Sequence, residues 1–300
     1  MIPSLVHLRE HAFVSGNLEG ELQLGTVSHD LIDAILGKIH EPAEIRSLGR
    51  MLAANDDHEQ LGEDLLARAE TLMTAARAMG LEKEAQGGFL GTVARIEVAE
   101  NTFGSFELLL TDKCLPGLTF LDIRNCGITN ARMLLLSDAI LQGRLASCTE
   151  INLRSNGIND ADMQSFSMAI AKTPLPRLGD LDLGNNQIGD VGLTAFATAL
   201  HSKALPLLKD LQLWQNKIGD AGMEAFAEAG SEGYMAKLGS LTLHHNHIGD
   251  TGMVAFAAAV RSGKLPALRL VSLTRNEGNA AVVKEALVAL HGSKNEWWIA

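Results

Sequence analysis

Apolar positions along this chain return in the same order every 30 residues. In the clearest example, residues 178–200 (LGDLDLGNNQIGDVGLTAFATAL), Leu181 and Leu183 alternate with Asp180, Asp182 and Gly184, the period of two expected of a short strand with one buried face. Asn186 then turns the chain, and its side-chain amide is suited to satisfying backbone groups as one rung of a ladder along successive units. Asp190 is expected to cap a helix whose core face is Leu193, Phe196, Ala197 and Leu200, at helical spacing. One unit is therefore read as strand, turn, cap and helix.

The frame L-x-x-L-x-L-x-x-N/C-x-I starts at Leu118, Cys148, Leu178, Leu208, Leu238 and Leu268. Asn156, Asn186, Asn216, Asn246 and Asn276 share the turn position, and Cys126 fills it one unit earlier as a buried, weakly hydrogen-bonding substitute. Asp160, Asp190, Asp220 and Asp250 share the cap position; Phe166, Phe196, Phe226 and Phe256 share the helix core. The last unit departs, with Gly278, Ala280 and Ala286 in place of the isoleucine, the cap and the phenylalanine, as suits a terminal repeat. These residues resemble the leucine-rich repeat family, specifically its long, helix-containing, ribonuclease-inhibitor-like class, over residues 118–290 in six units. The resemblance implies an α/β fold: a leucine-rich repeat solenoid, curved, with parallel strands on the concave face and helices on the convex face.

Upstream of the repeats the period changes. Residues 1–26, interrupted by Gly16, Gly20 and Gly25, read as a loosely ordered lead. Residues 27–86 read as a small helical segment. Its first helix, capped by Ser28 or Asp30, carries Leu31, Ile32, Ile35, Leu36 and Ile39. A second follows Pro42 with Ile45, Leu48, Met51 and Leu52, and a third runs from Leu61 to a stop at Gly80. Residues 87–117 read as a linker followed by a degenerate capping repeat, because Val93, Ile96, Val98 and Asn101 fit the frame again before a helix over Phe103–Leu110. The glycine-rich run at 87–91 lacks the Lys-Ser or Lys-Thr of a phosphate loop, so it is not read as one. In the tail, 291–300, Trp297 and Trp298 are expected to cover the open end of the last repeat; the alternative is an exposed motif for a partner.

Charge narrows the partners. The chain of 300 residues has a formal net charge of −11, and residues 1–110 hold 8 Lys and Arg against 18 Asp and Glu. No basic run is present, which argues against nucleic acid. The three cysteines offer no disulfide framework, and no apolar run is long enough to span a bilayer. A soluble, cytoplasmic protein is the expectation.

Candidate chemistry lies in the strands. Their polar positions fall in columns across the units, and Glu150, Asp180, Asp182 and Asp210 form an acidic band on neighbouring strands. Gln212 stands beside it. A second column places Trp214 between Gly184 and His244, with Arg124 and Arg154 earlier and His245 one position on. An exposed tryptophan with small and polar neighbours suits a binding anchor. These residues suggest a face for another protein, basic or Arg-bearing; the alternative is that they keep the face soluble and Trp214 packs on its neighbours. Strand alternation is expected to send His244 and His245 in different directions, so the HHNH cluster is read as a solvated turn and not as a metal site. Ser28-His29-Asp30 is adjacency, not triad geometry. No catalytic residue and no cofactor is assigned, and the chain is read as a non-catalytic protein-interaction module, a scaffold or regulator. The repeats are also similar to those of Ran GTPase-activating proteins, which implies as an alternative a regulator of a small GTPase with Arg124 as the candidate arginine. They are similar too to the repeats of NOD-like receptors, which implies a sensing or autoinhibitory role.

Overall fold

The computed structural model describes residues 39–54, 59–88 and 90–292. The expected lead over 1–26, the helix bearing Leu31 to Leu36, Phe89 and the Trp297-Trp298 tail lie outside the described residues. The chain divides into two compact units: residues up to Val93 together with Gly104–Pro116, and Ala94–Phe103 together with the residues from Gly117 onward.

The first unit is helical. Helix α1 (Pro42–Ala53) starts on Pro42, whose fixed φ and missing N–H suit a first turn, and it buries Ile45, Leu48 and Leu52. Helix α2 (Glu59–Ala78) buries Leu65, Ala69, Leu72, Met73 and Ala76 against it, and the chain leaves at Gly80 with φ 72°. A short helix, α3 (Glu82–Gly87), was not legible in the pattern, because Ala85 is its one buried side chain. The amides of Leu90 and Gly91 donate to the carboxylate of Glu41 at 3.1 and 2.6 Å. The glycine-rich run therefore closes on an anion that the protein itself supplies. Helix α4 (Phe103–Thr111) contributes buried Phe106, Leu109 and Leu110. Arg68 of α2 is held by Asp112 through two hydrogen bonds of 3.2 and 3.1 Å.

The second unit is the repeat. Its strands β1 (Arg95–Glu97), β2 (Phe120–Asp122), β3 (Glu150–Asn152), β4 (Asp180–Asp182), β5 (Asp210–Gln212), β6 (Ser240–Thr242) and β7 (Leu270–Ser272) form one parallel sheet in sequence order. The middle residue of each strand is buried: Ile96, Leu121, Ile151, Leu181, Leu211, Leu241 and Val271. Between strands run α5 (Ala131–Leu141), α6 (Asp160–Lys172), α7 (Asp190–Leu200), α8 (Asp220–Glu232) and α9 (Asp250–Arg261), with α10 (Ala281–His291) after β7. Phe166, Phe196, Phe226 and Phe256 are essentially fully buried. This is the unclosed, parallel strand-and-helix stack of a leucine-rich repeat solenoid.

The asparagine ladder forms as the pattern required. Asn186 Oδ1 accepts from the backbone nitrogens of Asn156 and Ile158 at 2.9 and 3.1 Å, while its Nδ2 donates to the carbonyls of Leu153 and Leu183 at 3.1 and 2.9 Å. At Cys126 the ladder ends. The thiol donates to Val98 O at 3.1 Å, and the Cys126 amide donates to Asn156 Oδ1 at 2.8 Å. Asn101, which fits the frame one unit earlier, makes no rung; it lies exposed in a 3-10 turn over Glu100–Thr102. The shorter spacing of 25 residues to Cys126 leaves that turn out of step with the ladder.

The aspartates at the expected cap position do not cap their own helices. The N-caps of α7, α8 and α9 are Gly189, Gly219 and Gly249. Asp160 Oδ1 reaches forward one unit instead, to Gly189 N at 2.7 Å and Gly192 N at 2.9 Å. Asp190 does the same for Gly219 and Gly222, and Asp220 for Gly249 and Gly252. Each carboxylate satisfies two orphan donors at the next helix's positive end, so the cap also locks adjacent units together.

Candidate functional site

Register places the acidic side chains side by side. Glu150 is paired with Asp180 and Asp180 with Asp210, on strands spaced about 4.8 Å apart. Asp180 is exposed, while Glu150 and Asp210 are half-buried. Among the described residues none of the three forms an ion pair within 4.0 Å. Burial, then Asp180, pushes the Glu150 carboxyl above its ordinary range. Burial, then Asp210, does the same to Asp180, with Lys209 opposing. The Oδ1 atom of Asp210 is shielded from solvent, and no described residue donates to it.

Asp182 has a different task. Its Oδ1 accepts the Gly184 N–H at 2.8 Å, as Asp122 Oδ1 accepts from Arg124 N at 3.1 Å and Asn152 Oδ1 from Arg154 N at 3.0 Å. The three side chains stop their strands by the same local turn. Burial raises the Asp182 pKa, opposed by the Gly184 hydrogen bond and by Arg154. Gln212 is half-buried opposite Asp182.

Trp214 is not an open platform. Its indole is half-buried, with the Arg154 guanidinium carbon 4.7 Å from its ring centroid and the His244 imidazole stacked at 5.6 Å and 4°. Arg154 belongs to the unit two before that of Trp214. The indole spans the gap because Gly184 lies between: a Cβ there would fall 2.3 Å from Trp214 Nε1. His244 Nδ1 lies 3.2 Å from Ser272 Oγ, which extends the row to β7. His244 and His245 do not diverge as strand alternation predicts. Both follow the end of β6, His245 has φ 59°, and the rings meet edge-on at 5.5 Å. Burial, then His245 and Arg275, lowers the His244 pKa. Among the described residues no group of three His, Cys, Asp or Glu could hold a metal ion.

Arg124 is exposed but tethered, its guanidinium 3.2 Å from the buried carboxylate of Asp122. Arg95 was missed by the column reading. Its guanidinium lies over the Phe120 ring at 3.3 Å, in register with the acidic row through the pairing of Arg95 with Phe120. Extending the polar columns back to the strand around Ile96 would have placed it. In the helical unit a cavity of about 490 Å³ is lined by Ala67, Glu70, Thr71, Thr74, Ser105 and Leu108, without a convergent set of polar groups.

A family model described as Leucine Rich repeat matches residues 178–197, 204–227 and 234–257. Leucine-rich repeats are matched within residues 178–257. No curated protein matches the sequence. Among solved structures, leiomodin-1 actin-binding site 2 is 19% identical over 51% of this chain and 84% of that chain, with a TM-score of 0.41. An internalin C2 from Listeria monocytogenes is 19% identical over 74% of this chain and 89% of that chain, with a TM-score of 0.46. Likenesses at this level say nothing of what the leucine-rich repeats of this chain bind. Among the described residues no helix is long and apolar enough to cross a membrane.

Proposed function

We propose that the leucine-rich repeats form a non-catalytic protein-binding module whose concave strand face takes a basic, Arg- or Lys-bearing segment of a partner protein. The observation that carries this reading is the row Glu150, Asp180 and Asp210. Three carboxylates stand in register on adjacent strands, without ion pairs among the described residues, and the charged forms of Glu150 and Asp180 are disfavoured. A row that only kept the face soluble would gain from full hydration. Here two members are half-buried and stand beside like charges, so an arriving guanidinium or ammonium relieves their repulsion. The same row repels a phosphate backbone, which sets nucleic acid apart from this face.

A small GTPase presenting a basic segment is one candidate partner, and the cytoplasm is the proposed compartment. The test is affinity capture from a lysate with wild type beside a Glu150→Gln, Asp180→Asn, Asp210→Asn variant of unchanged fold, bound proteins being identified by mass spectrometry. The expected result is a partner lost from the variant whose contact maps to a basic segment. Capture of the same set by both proteins would remove the strand face from consideration. Stimulated GTP hydrolysis by a captured GTPase, lost on Arg124→Ala, would favour the activator role over simple binding.

A further inference from the structure

We propose that Arg154 is a preformed seat for a carboxylate on the same partner segment whose basic residue the acidic row takes. This rests on the reading above and specifies the partner further: it carries both signs of charge. Two arginines occupy equivalent places in neighbouring units, and they are held differently. Arg124 is neutralised by Asp122 at 3.2 Å, whereas Arg154 is exposed and has no carboxylate within 4.0 Å among the described residues. What holds Arg154 is a ring. The guanidinium lies over Trp214 at 4.7 Å, the His244 imidazole is stacked on the same indole at 5.6 Å, and His244 Nδ1 lies 3.2 Å from Ser272 Oγ.

A guanidinium held over a ring has already lost part of its rotamer freedom, and its N–H groups remain able to donate to a two-pronged carboxylate. The absence of a side chain at Gly184 is what lets the indole reach Arg154, and even one methyl group there would collide with Nε1 at 2.3 Å. The acidic row selects the ligand's charge. A monoanionic carboxylate is repelled less than a phosphate dianion by Glu150, Asp180 and Asp182 nearby. Along the strand direction Glu150 and Arg154 are four residues apart, so the partner's cation and carboxylate lie roughly 10–13 Å apart, three to four residues of extended chain.

The test uses short fluorescein-labelled peptides whose arginine pair is followed, at that spacing, by Glu, Gln or phosphoserine. Binding to the full chain is read by fluorescence anisotropy. On wild type the Glu peptide is expected to bind at least about fivefold tighter than the Gln peptide. Arg154→Gln should abolish that preference and leave the Gln peptide's own affinity unchanged. Gly184→Ala, which keeps the arginine and displaces its support, should reduce the preference in the same direction; if it does not fold by circular dichroism, Arg154→Gln decides alone. Equal binding of Glu and Gln peptides to wild type, or a preference that survives Arg154→Gln, overturns the seat and leaves the acidic-row reading standing. Tighter binding of the phosphoserine peptide overturns the assignment to a carboxylate. No binding by any arginine peptide overturns the acidic-row reading and this inference with it.

Discussion

Asp160 holds the backbone N–H of Gly192 at 2.9 Å, although the two residues belong to different units. The same oxygen holds Gly189 N at 2.7 Å, and a Cβ on Gly192 would fall 2.6 Å from it. Glycine at this place in the I-G-D-x-G run is therefore a consequence of the preceding unit's aspartate.

That geometry makes a coupled pair. Asp160→Ala should cost about 1–2 kcal/mol, the worth of a helix cap with a charged acceptor. Gly192→Ala should also destabilise, since its methyl meets Oδ1. In the double variant the carboxylate that the methyl strikes is gone, so the two losses should sum to more than the double variant shows. Urea unfolding of the four proteins measures this; strict additivity would remove the inter-unit cap.

The ladder predicts a position effect. Asn186→Ala orphans the buried N–H groups of Asn156 and Ile158 and the carbonyls of Leu153 and Leu183, and should cost about 3 kcal/mol or more. Asn276 is half-buried and its Oδ1 takes only Ile248 N in the ladder, so Asn276→Ala should cost clearly less. Equal midpoint shifts in a denaturant titration would contradict this account.

The acidic row predicts a pH dependence with a definite sign. Burial, then Asp180, raises the folded pKa of Glu150, and burial, then Asp210, raises that of Asp180. A group of this kind favours folding fully below its unfolded pKa, and that contribution is lost as pH rises through the raised value. Asp180→Asn should therefore raise Tm at pH 7, and the gain should shrink as pH falls into the acid range, where protonation removes the wild-type charge as well. Calorimetry at both pH values checks it; a gain independent of pH would mean that the charge is not the cause.

The thiols should be inert in the folded protein. Burial pushes Cys114 and Cys148 up to about 12 and Cys126 up to about 11, so thiolate is scarce at neutral pH and access is closed. Ellman's reagent should find no rapidly reacting thiol under native conditions and all three of the cysteines in denaturant. A fast native reaction would place one of them at the surface.

What the sequence by itself determined is what its period carries. A recurrence of 30 residues that alternates like a strand and then steps like a helix can bury its leucines and phenylalanines in one way only, by stacking, so strand order, register and the asparagine ladder were all legible before any coordinate. The columns of polar residues followed from that register, and Glu150, Asp180 and Asp210 do stand in line. Contacts that skip units or follow side-chain reach were decided by tertiary structure alone. The pattern placed Asp160 at a cap but not at the next unit's helix, because a helix end shows its orphan donors to whatever lies beside it in space. It placed Trp214 beside Gly184 but not under Arg154, because the direction of an indole depends on the room its neighbours leave. His244 and His245 meet because the strand ends before them and a positive φ undoes the alternation. Periodicity is a property of the chain and can be read along it; the coupling between units is a property of the stack and exists only once the units are side by side.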